Sequence, residues 1–328
     1  VPAANLVILN PAAGKGARFF RRLEGRIRAS LGEVEFARTR APLDARRIAR
    51  EAVRAGVSRL VVAGGDGTLG EVATGLLAAG LGKEAEIACL PLGLGCDFSR
   101  SFEIPRAVEG AIECLGTGRS RRVDACRIHY RGHGGIEETR FYLNEASFGL
   151  SGVAVEAVRR SRSSLGPRAA YTFAGLRAIL HHPTPEVVVR VDGAPVYEGR
   201  ISLVVAANGR FFGGGMRVAP DAQLDDGQLD IVIVRALSRL DLLMNFPSLQ
   251  RGDFVDHPAV SIHRGSHVEA LVHGDSRALL DVDGEAPGGL PLRIELMPRA
   301  IGIFGLPEPA PQNVAGSEAE LRPMRAEN

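Results

Sequence analysis

Over its first third the chain alternates short apolar runs with amphipathic stretches. Asn5 and the four apolar residues after it read as a buried strand, and Phe20, Leu23 and Ile27 recur at three- and four-residue spacing within a helix over residues 17–31. A strand over 33–38 follows. Pro42 is placed to open a helix carrying Leu43, Ile48 and Val53, and Gly56 to end it. Apolar residues from Leu60 then run straight into Gly64-Gly65-Asp66-Gly67-Thr68. A helical pattern at Leu69, Val72, Ala73, Leu76 and Leu77 comes next, and a strand over 87–90 after it. Such alternation predicts a parallel sheet covered on both faces, with ligands at the carboxyl ends of the strands.

After about Gly118 the period changes. Residues 123–130, 140–144, 186–191, 196–198, 201–206, 229–234, 267–272, 278–282 and 292–296 read as strands, with Asp192-Gly193 as a hairpin turn. Helical stretches over 152–180 and 238–250 interrupt them. The fold class expected is α/β plus all-β: an N-terminal doubly wound α/β nucleotide domain over 1–120 and a C-terminal antiparallel β-sandwich domain over 121–306. The last sandwich residues are expected to pack back on the first domain. A tail over 307–328, rich in Pro, Glu and Ala, has little to bury and reads as disordered.

Three loops leave strand ends on one sheet edge: Asn10 to Gly16, Gly64 to Thr68, and Pro91 to Phe98. Glycine at Gly64, Gly65 and Gly67 permits positive φ and lets backbone N–H groups approach an anion at the start of a helix. A carboxylate among them, Asp66, implies a divalent cation between it and phosphates. Taken alone, the same stretch reads equally as a tight strand-to-helix turn. The spacing matches neither a Walker A loop nor GxGxxG.

Composition narrows the partners. Hydrophobic residues at 45% and charged residues at 24% are those of an ordinary globular protein, and a net charge of +2 is too small to expect nucleic acid. No apolar run reaches the ~18 residues that span a bilayer, so a cytoplasmic location is expected. Of 40 basic residues only Lys15 and Lys83 are lysines, which makes Lys15 stand out in its Gly-flanked loop as a point charge for phosphate. Four cysteines in no metal-like spacing read as reduced thiols. The 152–180 segment interleaves Arg159, Arg160, Arg162, Arg168 and Arg177 with apolar residues. It reads either as a helix lying on an anionic membrane surface or as an amphipathic helix with a solvated face.

These loops, together with Asn10-Pro11, Gly14-Lys15, Asn144-Glu145-Ala146-Ser147-Phe148-Gly149, Phe212-Gly213-Gly214-Gly215-Met216, Ala219-Pro220-Asp221-Ala222, Leu224-Asp225-Asp226-Gly227 and Asp283-Gly284-Glu285, resemble the bacterial diacylglycerol kinase-like lipid kinases, relatives of sphingosine and ceramide kinases. The resemblance runs along nearly the whole chain in the family's order. It implies an ATP- and Mg²⁺-dependent kinase that phosphorylates a lipid hydroxyl at the membrane periphery. Diacylglycerol is then the first acceptor to consider, with a sphingoid base, ceramide or another lipid alcohol open. It assigns nucleotide contacts to Asn10, Lys15, Gly64, Gly65, Gly67, Thr68, Glu71, Gly93, Leu94, Gly95 and Asp97, and a carboxylate network for Mg²⁺ to Asp66, Asp97 and Asp124. Asp283 is the implied general base with Glu285 beside it, although Asp-Gly alone reads as a β-turn. A structural Mg²⁺ is implied at Asp225, Asp226 and Gln228. Three positions depart from the family pattern, Ala13, Gly70 and Leu94-Gly95-Cys96, and they motivate a second reading as a binding regulator without turnover. An NAD kinase shares the Gly-Gly-Asp-Gly turn but not the later motifs. The oligomeric state is not fixed by sequence, and a homodimer stays open.

Overall fold

The computed structural model describes residues 4–13, 16–93, 95–160, 177–180, 184–274 and 277–307. Gly14, Lys15, Leu94, the side chains of Arg159 and Arg160, Arg162, Arg168 and the tail from 308 onward lie outside the described residues.

Strand β1 (Asn5–Leu9) sits between β2 (Val34–Arg38) and β3 (Arg59–Gly64), with β4 (Glu86–Pro91) next, all parallel. The order 2-1-3-4 puts the topological switch at β1 and β3, where ligands bind in such sheets. Helices α1 (Gly16–Leu31) and α5 (Val108–Thr117) pack together on one side, α2 (Asp44–Arg54) and α3 (Asp66–Leu77) on the other. The short α4 (Asp97–Ser101) follows β4. β1 and the inner part of β3 are buried on both faces, as their unbroken apolar runs require. Helix α2 starts at Asp44, two residues later than Pro42 suggested. Leu43 is left-handed there (φ 68°), because the Glu71 carboxylate of α3 accepts from the N–H groups of Leu43 and Ala45 and fixes the entry of the chain.

Two long strands join this sheet to the second layer system. β5 (Arg119–Gly132) and β16 (Gly288–Leu306) pair antiparallel along their length, and β16 also pairs parallel with β4 at Gly302 and Ile303. The antiparallel sandwich is completed by β6 (Glu137–Tyr142), β7 (Glu145–Gly149), β8 (Glu186–Val191), β9 (Ala194–Ala207), β12 (Leu229–Arg235), β13 (Val260–Gly265), β14 (His267–Val272) and β15 (Leu280–Val282). A small ribbon, β10 (Phe211–Phe212) with β11 (Met216–Arg217), lies outside it. β9 is one strand where the sequence suggested two; its first half pairs with β8 and its second with β7 and β12, so it passes from one sheet to the other. Alternate residues of these strands, among them Ile128, Phe148, Val189, Val204, Ile231 and Leu292, form the core between the sheets.

The outer face of the β15-β7-β9-β12 sheet is the one that matters for function. Leu203, Val205 and Ala207 of β9 and Val232 and Val234 of β12 face outward, toward Phe212 and Phe254. Helices α6 (Leu150–Arg160) and α7 (Arg239–Arg251) close over this side. Among the described residues no helix is long and apolar enough to cross a membrane.

Candidate active site

The first two glycine loops leave adjacent strands, Leu9 being in register with Ala63, and the third leaves β4 beside them, Gly64 against Pro91. The expected positive φ is not found at Gly64, Gly65 or Gly67; Gly65 is extended at φ −109°. What the missing Cβ permits is close approach. A Cβ on Gly93 would lie 2.5 Å from the Gly65 Cα, and one on Gly64 would lie 2.7 Å from the Thr68 side chain. Leu92 and Gly93 donate their N–H groups to the Gly64 carbonyl at 2.9 and 3.1 Å, which welds the second and third loops. Asn10 ties in the first loop, donating from Nδ2 to the Thr68 hydroxyl at 2.9 Å. No side chain caps the start of α3, so its first-turn N–H groups stay open to an anion.

Asp66 is half-buried at the start of α3. Its carboxylate accepts from the N–H groups of Asp97 and Phe98 at 3.1 and 3.2 Å, which makes it the cap of α4 and a brace between loops. Burial raises its pKa, opposed by those N–H donors. Asp97 follows Cys96, which sits in the left-handed region at φ 51°. One Asp97 oxygen accepts from Gly214 N–H at 2.7 Å; the other, Oδ1, is buried with no hydrogen bond and has only the Arg100 guanidinium, at 3.4 Å. Burial, then the Asp66 charge, push the Asp97 pKa up to about 6. Two adjacent carboxylates, Asp97 buried with an orphaned oxygen and Asp66 half-buried, are a donor set that fits one divalent cation completed by phosphate and water.

Asp283 is both a turn residue and a site residue. It takes the left-handed conformation (φ 48°) and Gly284 follows at φ 85°, with Val282 and Glu285 exchanging backbone hydrogen bonds across a two-residue turn. Its carboxylate points inward. Oδ1 accepts from the N–H groups of Asn144 and Glu145, Oδ2 from Leu143 alone. A Cβ on Gly70 of α3 would lie 3.8 Å from that Oδ2, an ordinary contact distance. Burial pushes the Asp283 pKa up to about 7 against these hydrogen bonds, with the Asp66 charge adding to the rise. Glu285 pairs with Arg140 at 2.5 Å and lies over Gly67.

Other expected residues fall elsewhere. Glu71 spends both oxygens on α2. Asp124 is not joined to Asp66: its oxygens accept from Gly227 and Arg299 N–H at 2.8 and 2.7 Å, beside Asp225 and Asp226. At that acidic turn Arg121 grips both oxygens of Asp225, Arg264 pairs with Asp226 and Asp230, and Gln228 N–H donates to Asp226. Guanidinium groups already neutralise Asp225 and Asp226, so the turn does not fit a second cation. Cys89 and Cys126 are buried, Cys96 and Cys114 partly so, and all four are free.

Sequence reading missed two buried acids beside Asp283: Glu145 of β7 and Asp281 of β15. It also missed an apolar cavity over the outer sheet face. Leu150, Ser151 and Ala154 of α6, Leu203, Val234, and Leu242 and Leu249 of α7 line it, and Phe212 and Met216 form one end. The Gly213–215 turn between Phe212 and Met216, left-handed at all three residues, brings Gly214 N–H to Asp97. One ribbon thus touches both the cavity and the carboxylate site.

Residues 4–128 match the model of the diacylglycerol kinase catalytic domain, and residues 144–305 match the YegS C-terminal NAD kinase beta sandwich-like domain. The chain is 27% identical to a diacylglycerol kinase of Staphylococcus carnosus over 95% of this chain and 96% of that one. It is 29% identical to a diacylglycerol kinase of Staphylococcus aureus strain MRSA252, over 95% and 94%. The fold superposes with a TM-score of 0.67 on a diacylglycerol kinase of Bacillus anthracis str. Sterne, at 22% identity, covering 92% of this chain and 96% of that one. The catalytic-domain match and the kinases it resembles define the class as phosphotransferase. The chain belongs to the bacterial diacylglycerol kinase-like lipid kinase family.

Proposed function

We propose that the protein transfers the γ-phosphoryl group of ATP to the hydroxyl of a lipid alcohol in a Mg²⁺-dependent reaction. The observation that carries this reading is the position of Asp283: half-buried, held by three N–H groups, and aimed across Gly70 at the helix whose open start lies between the glycine loops. The N–H groups at Gly67 and Thr68, with Asn10 holding Thr68 in place, are suited to the nucleotide phosphates. Lys15 is proposed as a further phosphate contact. Asp97 Oδ1, with Asp66 beside it, would hold the cation, which when bound screens charge on the transferring phosphoryl group.

Asp283 receives the proton of the acceptor hydroxyl at Oδ2, the oxygen with a single N–H partner. The ion pair of Arg140 with Glu285 pins the far side of its turn. The apolar cavity, walled by aliphatic and aromatic side chains such as Leu203, Phe212 and Leu242, is suited to acyl chains. Helix α7, which lines it with Leu242 and Leu249, exposes Leu240, Leu243 and Met244 outward, a face suited to a bilayer surface. Diacylglycerol, the acceptor in the relatives' names, is the first to test. Radiolabelled ATP with lipid alcohols in mixed micelles should give a phospholipid product in the presence of Mg²⁺ and none after chelation. Nucleotide binding without product from any lipid alcohol would overturn the proposal.

A further inference from the structure

The β7–β15 ladder pairs Ser147 with Asp281 and Ala146 with Val282, and Asp283, just past its end, donates its N–H to the Glu145 carbonyl and accepts from Glu145 N–H at Oδ1. Alternation puts Glu145, Ser147 and Asp281 on one face, while Ala146, Phe148, Leu280 and Val282 fill the core on the other. The same face continues across β9, where Glu145 is in register with Ala207, Ser147 with Val205 and Gly149 with Leu203. Leu203 lines the apolar cavity. Ser147 donates to Ser151 at 2.8 Å, and Ser151 is itself a cavity residue. A polar row of Ser151, Ser147 and Glu145 therefore leads from the cavity to the candidate base.

Glu145 is the unbalanced member of this row. It is 2% exposed, and its Oε2 is buried without a hydrogen-bond partner. Its neighbours are compensated: Asp283 by three N–H groups, Asp281 by Gly284 N–H at 2.9 Å, Glu285 by Arg140. Burial raises the Glu145 pKa, and the charges of Asp281 and Asp283 raise it further. An orphaned carboxylate oxygen inside a like-charged group is costly unless a donor meets it.

We infer that Glu145 recognises the acceptor head group, and that the preferred acceptor is a lipid alcohol bearing a second hydrogen-bond donor, a hydroxyl or an amine, next to the reacting hydroxyl. This rests on the lipid-alcohol kinase reading above and sharpens it. A 1,2-diacylglycerol offers ester carbonyls there and no second donor, so it leaves Oε2 unmet. An ammonium group is further favoured by the neighbouring carboxylates of Glu145, Asp281 and Asp283. Loss of a hydrogen bond to a charged, buried partner is expressed in kcat/KM as a discrimination between acceptors.

The test is initial-rate kcat/KM in mixed micelles for three acceptors: a 1,2-diacylglycerol, a monoacylglycerol, and a long-chain 2-amino alcohol of matched chain length. Wild type should use the two donor-bearing acceptors about 10- to 100-fold better than the diacylglycerol. Glu145→Met, similar in length and without charge, should collapse that ratio to within about threefold, while Glu145→Gln, which keeps an acceptor oxygen, should retain preference for the monoacylglycerol. Equal use of all three by wild type overturns the inference. So does preference for the diacylglycerol, which is what a neutral Glu145 acid donating to an ester carbonyl would give. Equal loss toward all three acceptors in both variants assigns Glu145 a structural role and also overturns it. Absence of product from every acceptor overturns the lipid-kinase reading and this inference together, so the two failures are distinguishable.

Discussion

Asp283 carries two demands that usually conflict. A left-handed Asp-Gly turn is the ordinary chemistry of a two-residue hairpin, yet its carboxylate turns inward and is hydrogen-bonded by three N–H groups. Asp283→Asn keeps the turn and removes the base. Turnover should fall by about 10²- to 10⁴-fold with ATP affinity by calorimetry nearly unchanged; an active variant would remove Asp283 from the chemistry. Because the base must be ionised, kcat/KM should rise with pH below about 7 and level off above it. Cation binding next to Asp66 should shift that limb downward. Gly70, which departs from the family pattern, stands beside the Asp283 oxygen, where a Cβ would lie at an ordinary contact distance of 3.8 Å.

Among the elements, the glycine loops work by contact rather than by unusual dihedrals. Gly93→Ala would press a Cβ against the Gly65 backbone at 2.5 Å, where nothing flexible can yield. It should cost about 1–3 kcal/mol of stability and weaken ATP binding, read by melting curves and nucleotide titration. The acidic turn gives the opposite expectation to a metal site. Asp226→Ala removes its pair with Arg264 and should lower the Tm slightly, by the same amount in Mg²⁺ and in chelator. A loss seen only in Mg²⁺ would restore the structural cation. On α7, replacing Leu240 and Met244 together by Asp should reduce co-sedimentation with liposomes and leave turnover of a micelle-dispersed acceptor intact.

For the whole molecule, the site is a store of unfavourable charge. Asp97, Asp281 and Asp283 are raised to about 6, 7 and 7 from an ordinary 3.8, burial being the first cause of each. The folded state thus binds more protons than the unfolded chain between about pH 4 and 7. Its stability from these groups is fully present below about 4 and lost as pH rises through 7. In chelator the Tm should therefore fall across that window. Mg²⁺ at pH 7.5 should raise it, and Asp97→Ala should abolish the Mg²⁺ increment. A flat pH profile would contradict the burial of ionised acids here. The two domains are expected to melt as one unit, since β5 and β16 belong to both and share one continuous ladder.

Hydrophobic period alone was enough for the parallel sheet, for β1 and β8 at their observed bounds, and for the change to antiparallel strands after Gly118. The motifs were enough for the family, because Gly-Gly-Asp-Gly-Thr and Asp-Gly-Glu are local in the chain. What sequence did not resolve was anything set by register between distant strands. The 19-residue β16 looked like a five-residue strand, because its continuation past Leu296 is held by β5 and β4 rather than by its own pattern. Nothing local in the chain marks Glu145 and Asp281 as buried acids until β7 and β15 are paired, and Asp124, which the resemblance implied in a network with Asp66, has its oxygens on Gly227 and Arg299. Local propensity is written in neighbours three or four residues apart, whereas burial of a charge is decided by which strand lies opposite it. For that reason the loop at Gly64 was legible from the chain, and the acceptor face beside Asp283 only from the fold.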